Sequence, residues 1–286
     1  GSYYKSDMLL NLRSLPFVSF SPLYFDQRSL LASSVGNGVY SVAGEACENM
    51  DEYFALYFNT ALAQRLQLPD LYSLAEEGKW TWDEMLSLSK VAVGALNAGA
   101  GYGTFGEEEL WSSIVYSSCG LSFVTNETGK LPLLSAADEP KEKALSATRS
   151  LLKSDGLLKL DSGYNRNTAM LEFYNGKLLF YIDILSETGS LLDSTDAWGI
   201  LPLPKLAEQE NYFTPAAYAA VFAVPKNNAT LTETGLLLEA FNAVSSEWVS
   251  EEYISFQMNY RVRDYRTLDM IDIIRKNVYR DFSLMF

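Results

Sequence analysis

The sequence predicts an α/β fold, on three observations. Short apolar runs of strand length alternate with segments of helical periodicity, as in a mixed architecture. Helix boundaries are punctuated by capping boxes, a first-turn proline and an Asn-Gly pair. The 286 residues, 48% hydrophobic and 20% charged, suffice to bury a sizeable core and exclude whole-chain disorder.

Val39–Val42 and Tyr53–Phe58 read as strands, followed by a helix over Ala61–Leu68 that Pro69 stops. Thr81-Trp82-Asp83-Glu84 is a capping box: the Thr81 hydroxyl accepts from the Glu84 amide while the Glu84 carboxylate reaches back. Met85, Leu88 and Ala92 then share one helix face. A helix opens near Asp138 with Pro140 in its first turn, where a missing N–H costs nothing, and stops at Gly156. Thr168–Tyr174 is helical, ends at Asn175-Gly176 and turns into the strand Leu178–Ile184. Trp198–Leu201 continues into the extended Pro202-Leu203-Pro204. Tyr218–Val224 reads as a further strand. Thr230 and Glu233 form a second capping box, opening a helix expected to bury Leu237, Ala240, Phe241 and Val244. The last helix, Thr267–Val278, is expected to bury Leu268, Ile271, Ile274 and Val278.

Composition narrows the function classes. With 22 basic and 36 acidic residues, the net charge of −14 repels nucleic acid and anionic lipid headgroups over most of the surface. The absence of histidine removes the commonest general base and metal ligand. Cys47 and Cys119 form no CxxC, which argues against a zinc or redox motif; neither a metal nor a cofactor is expected. They are read as two buried free thiols, with one disulfide as the alternative. No apolar run approaches bilayer-spanning length.

Several segments resemble, in order, the extracellular solute-binding proteins of family 1, the maltodextrin-binding-like group serving ABC importers. They are Ala55-Leu56-Tyr57-Phe58-Asn59, Lys79-Trp80-Thr81-Trp82-Asp83-Glu84-Met85, Tyr102-Gly103 and Cys119-Gly120-Leu121-Ser122-Phe123. Phe173-Tyr174-Asn175-Gly176-Lys177 and Trp198–Lys205 extend the match. The resemblance implies a two-lobed, periplasmic-binding-protein-like (type II) α/β fold. Phe58–Asn59 and Ile200–Pro204 would cross between the lobes as a hinge. Residues 1–58 and 201–286 would form lobe 1, and 59–200 lobe 2. Family members begin with a βαβ stretch that has no counterpart before Leu10-Asn11-Leu12, so the first lobe is expected to be incomplete. The resemblance further implies a monomer, a small carbohydrate ligand, an ABC transporter permease as partner, and extracellular anchoring as a lipoprotein. Contact with the membrane would be only through a lipid anchor, expected to lie outside this sequence.

Neutral sugars are held by aromatic faces and by planar carboxylates or amides. The chain is 13% aromatic, with 18 Tyr and 5 Trp, most of which are read as packing residues. By resemblance, Glu52 and Tyr53 lie at the cleft side of the hinge. Glu107, Glu109 and Trp111 lie on a segment that mirrors a ligand-contacting stretch of the family; a solvated helix start is the alternative. Asp183 sits inside an apolar run, where a carboxylate is expensive unless paired, so it serves either a ligand or a structural hydrogen bond. Trp198, Tyr212 and Tyr218 are weaker candidates, with core packing as the favoured role.

No residue set for catalysis emerges, and the main expectation is a binding protein rather than an enzyme. A glycoside hydrolase would have to draw its two acids from Glu52, Glu107, Glu109 and Asp183. The other alternative is a ligand-free interaction or sensor module built on the same fold.

Overall fold

The computed structural model describes residues 6–96, 100–104, 108–127, 129–154, 166–194, 196–216, 220–262 and 264–280. From the N-terminus run α1 (Gln27–Ala32), β1 (Ser34–Val35), β2 (Gly38–Val39), β3 (Phe54–Asn59), α2 (Thr60–Arg65), α3 (Leu71–Glu76) and α4 (Trp82–Leu96). Then come β4 (Ala100–Thr104), α5 (Glu108–Ser118), β5 (Val124–Thr125), β6 (Leu133–Leu134), α6 (Glu139–Lys153), α7 (Arg166–Tyr174) and β7 (Leu178–Ile184). α8 (Thr188–Leu191), β8 (Trp198–Leu201), β9 (Thr214–Pro215), α9 (Leu231–Val244), α10 (Ser250–Arg261), α11 (Tyr265–Lys276) and β10 (Val278–Tyr279) follow.

A four-stranded mixed sheet, in the order β4-β7-β3-β8, organises the centre. β7 runs parallel to β4, and β3 is antiparallel to both β7 and β8. Every residue of β3, β7 and β8 is buried, as expected of a sheet covered on both faces. The period-two alternation of β3 divides its side chains between two cores. Phe54, Leu56 and Phe58 join Trp80, Met85, Phe180 and Ile182; Ala55 and Tyr57 join Phe173, Tyr181, Trp198 and Ile200. α11 packs on the same sheet, with Met270 in the first core and Ile271 and Ile274 in the second. A third core gathers Leu12, Phe25, Leu30, Val39 and Val42 with Val224 and Leu238, from both ends of the chain.

Three local signals hold. The Thr81 hydroxyl accepts from the Glu84 amide at 3.2 Å. The Asp138 carboxylate caps α6 from the Lys141 amide, with proline in the first turn. Gly176, at φ 72°, takes the left-handed conformation that ends α7, and a Cβ there would meet Asp196 Oδ2 at 2.5 Å. Gly156, the expected stop of α6, lies outside the described residues.

Five expectations are corrected. Val39–Val42 is not a continuous strand: Gly38–Val39 pairs with Ser34–Val35 in a short hairpin, and Val42 makes an isolated bridge to Phe222. Among the described residues 220–224 form no continuous strand, pairing through that bridge and through the Val224 carbonyl, which accepts from the Leu10 amide at 2.8 Å; Tyr218 lies outside them. Thr230 makes no side-chain cap; its amide donates instead to Asn228 Oδ1 at 2.7 Å. α9 also packs through the opposite face from the one its periodicity marks. Leu237, Phe241 and Val244 are 54%, 55% and 53% exposed and Ala240 is exposed, whereas Gly235, Leu238 and Asn242 are buried. Small and polar residues allow this approach: a Cβ on Gly235 would stand 2.0 Å from the Pro16 carbonyl oxygen, and Asn242 accepts from the Ala46 amide at 3.2 Å. Finally, α11 ends at Lys276, with Leu268 half-buried and Val278 in β10 beside Thr214.

Both cysteines are free; Cys119 is buried and Cys47 half-buried. Burial pushes the Cys119 thiol up to about 12, and burial also raises that of Cys47. Since the thiolate is the reacting form, Cys119 is expected to resist a disulfide-exchange reagent at about pH 8 in the native protein. Titration with such a reagent should count at most one slow thiol in buffer and two in denaturant; two rapid thiols in buffer would contradict the packing.

Candidate functional site

Tyr53 is the sequence-predicted residue around which other polar groups converge. It follows the short 3-10 turn Met50–Glu52, which Asn49 caps through the Asp51 amide. The Tyr53 carbonyl accepts from the Leu185 amide at 2.9 Å, and its hydroxyl donates to Glu48 Oε1 at 2.7 Å. Burial, reinforced by the Glu48 carboxylate, holds the phenol far above its ordinary pKa. Burial likewise raises Glu48, against the lowering effect of the Tyr53 hydrogen bond. Glu52 is half-buried, and its Oε2 has no hydrogen-bond partner.

The Tyr53 ring lines a cavity of about 210 Å³ whose walls come from distant parts of the chain. Asp26, at the N-cap of α1, accepts from the Arg28 amide at 2.9 Å and from Arg280 Nε at 2.7 Å. The Arg280 side chain is only 6% exposed, so this is a largely desolvated pair. Glu45 accepts from the Ser250 hydroxyl at 2.6 Å. Arg28 donates to the Val278 carbonyl at 2.6 Å and has no carboxylate partner among the described residues. Arg275 reaches Asp272 at 3.7 Å, and Lys276 pairs with the same carboxylate at 2.5 Å.

A second cavity, of about 420 Å³, shares Arg28 and Arg280 with the first. Its other wall is the segment from Gly120 to Asn126, with Ser135, Lys141 and Tyr279. Asn126 bridges that segment to the start of the chain, donating to the Leu31 and Ser34 carbonyls at 2.6 and 2.9 Å. Gly36 and residues 129–130 add two backbone bonds of 2.9 and 3.0 Å. Among the described residues, four buried side-chain polar atoms lack a partner: Glu52 Oε2, Asn126 Oδ1, Thr214 Oγ1 and Arg275 Nε. Arg275 lines the first cavity and Asn126 the second.

The remaining sequence candidates are placed elsewhere or lie outside the description. Asp183 is fully buried in β7, where its carboxylate accepts from the Tyr181 hydroxyl and from the Ile184 amide. Trp198 is packed edge-on against Tyr57 and donates from Nε1 to the Leu191 carbonyl at 2.9 Å. Tyr212 is buried against Trp80 and Ala75. Glu107 and Tyr218 lie outside the described residues, as do the side chains of Glu109 and Trp111 on α5. Asp26, Arg28, Glu48, Asn126, Arg275 and Arg280 escaped the sequence reading. The N-cap pattern at Asp26 was the one local signal among them, and it speaks of a helix start rather than a site.

The architecture is that of a solute-binding fold: it superposes on an ABC substrate-binding protein of Listeria monocytogenes in complex with cycloalternan, with a TM-score of 0.57 and 15% identity. That match covers 99% of this chain and 72% of the other. UgpB of Mycobacterium tuberculosis, in complex with glycerophosphocholine, gives a TM-score of 0.59 at 16% identity, over 100% and 71% of the two chains. The fold is therefore the two-lobed type II α/β fold. The sequence profile of the bacterial extracellular solute-binding proteins matches residues 34–240, and the chain belongs to that family. A comparison with curated proteins finds no significant sequence relative.

Proposed function

We propose that the protein captures a small polyhydroxylated solute, of the carbohydrate class, in the paired cavities beside Tyr53 and delivers it to the permease of an ABC importer. The single observation that carries this is that two of the four unpartnered buried polar atoms belong to residues lining those cavities, Arg275 (Nε) in one and Asn126 (Oδ1) in the other. Buried polar groups without partners are rare in folded proteins, and a ligand hydroxyl or oxygen satisfies them. Tyr53, almost fully buried, forms part of the wall of the first cavity. Asp183 and Trp198 are assigned to the framework, on their burial and partners.

Closure of two lobes about β3 and β8 is the mechanism that suits this arrangement. Ligand contacts from both sides of the cavities favour the closed population. Residues 1–58 with 201–286 would form one lobe and 59–200 the other, with the last helix, α11, packed on both cores of the central sheet. A second reading, an interaction module, is favoured by one feature: Leu237, Phe241, Val244 and Trp248 present an exposed apolar stripe on α9 and the π-helical turn after it.

The test is thermal unfolding with a panel of mono- and oligosaccharides at millimolar concentration. A ligand at about 100 times its Kd stabilises by roughly 2.7 kcal/mol, a shift of several degrees. Saturable stabilisation by at least one solute, weakened by Tyr53→Ala in proportion to its affinity, is the expected result. No shift across neutral and charged members would favour the interaction module.

A further inference from the structure

We infer that the captured solute carries an anionic oxyacid group, held by Arg28 and Arg275, together with a hydroxyl-bearing body that reaches Asn126. This rests on the capture reading above and narrows it to a chemical class. The chain as a whole carries a net charge of −14, so a cluster of arginines at a cavity is contrary to its general surface. The acids that line the first cavity are already engaged. Asp26 is held by Arg280 and the Arg28 amide, Glu48 by the Tyr53 hydroxyl, and Glu45 by Ser250.

The unfilled valence lies on the cationic side. Arg28 borders both cavities, and the one bond described for its guanidinium is to the Val278 carbonyl. Among the described residues, the other four donors of that planar fork have no protein acceptor, and on this exposed side chain they are open to a ligand in place of water. Arg275 Nε is a buried donor with no acceptor. Such donors call for an atom group with several lone pairs and negative charge, which phosphate and carboxylate supply in matching planar geometry. Asn126 poses the converse demand. Its amide N–H groups are spent on Leu31 and Ser34, and its buried Oδ1 lacks a donor. A neutral hydroxyl answers that need, whereas a second anionic oxygen would be repelled by it. A phosphorylated sugar or a sugar acid has both ends in one molecule, whereas a neutral sugar offers the two arginines no anionic acceptor.

The experiment is isothermal titration of the full chain with glucose 6-phosphate, glucuronate, glucose and inorganic phosphate, in the parent protein, Arg28→Gln and Arg28→Lys. Arg28 is exposed, and thermal unfolding without ligand measures what each variant loses with its bond to the Val278 carbonyl, so that affinity is compared on folded protein. The expected result is that glucose 6-phosphate or glucuronate binds at least tenfold more tightly than glucose or phosphate. Arg28→Gln should weaken that binding about 10–100-fold, as for loss of hydrogen bonds to a charged group. Arg28→Lys, which keeps charge without the fork, should fall between, and added salt should weaken the parent's binding. Preference between the two anionic sugars distinguishes phosphate from carboxylate. Equal binding of glucose, indifferent to Arg28→Gln, would overturn the anion while leaving solute capture intact. Phosphate binding as tightly as glucose 6-phosphate would overturn the role of Asn126. Binding of none of the four would overturn this inference; other neutral oligosaccharides binding in the same series would still uphold capture.

Discussion

Replacing Trp80 by alanine is expected to lower the unfolding free energy by about 3–5 kcal/mol, read as a fall in the urea midpoint at unchanged slope. Trp80 is fully buried and sits between elements that the sheet alone does not tie together. Its ring lies 5.5 Å from that of Phe180, its indole N–H donates to the Pro202 carbonyl at 3.1 Å, and its amide donates to the Tyr212 hydroxyl at 3.3 Å. The side chain thus fastens the segment ahead of α4 to the extended crossing after β8. Truncation empties a large volume in a close-packed core and leaves the Pro202 carbonyl without its donor. Trp80→Phe should recover part of the loss, since it restores ring volume but not the N–H. Such a cost is a large fraction of the 5–15 kcal/mol typical of a folded domain, roughly. A midpoint shift worth under about 1 kcal/mol would mean that the region does not pack as described.

How far the sequence discloses this molecule depends on whether a residue's partners are near it in the chain. Thr81 and Glu84 are three residues apart, and their hydrogen bond is found as read. The same holds for Asp138 over Lys141 and for the stop at Asn175-Gly176. The buried strand Leu178–Ile184 is legible because its apolar run is continuous and bounded. α9 shows the limit. Its periodicity marks an apolar face correctly, but which face meets the rest of the protein is decided by the close approach of Gly235 to Pro16 and the seat of Asn242 on Ala46. Neither contact has a local signature. The site is further removed still: Asp26 and Arg280 are separated by 254 residues, and Asn126 joins Leu31 across 95. Tyr53 was accessible only through the family resemblance, whereas no periodicity or spacing points to the arginines that share its cavity. The separation between local and tertiary information is also why Asp183, conspicuous in sequence as a charge in an apolar run, has its explanation in the core.

Asp183→Ala is expected to destabilise the protein by about 3–5 kcal/mol without changing the affinity of the folded fraction for solute, because it strands two buried donors at roughly 1–3 kcal/mol each and opens a cavity. The carboxylate is fully buried at the centre of β7, opposite Ala55 of β3. Its two oxygens have different work: Oδ2 accepts from the Tyr181 hydroxyl, and Oδ1 from the Ile184 amide at 2.7 Å. Asp183→Asn separates these contributions. The amide oxygen can still receive the Ile184 N–H, but the amide nitrogen has no lone pair to offer the Tyr181 hydroxyl. Its cost should therefore be intermediate, about 1–3 kcal/mol. The double variant Asp183→Asn with Tyr181→Phe should cost less than the sum of the two singles, since removing both partners removes the unmet donor. Denaturation midpoints and titration of the folded protein give the two readouts. Unchanged stability with abolished binding would return Asp183 to the ligand; lost stability with retained binding fixes it in the framework that carries β3 and β7 to the cavities.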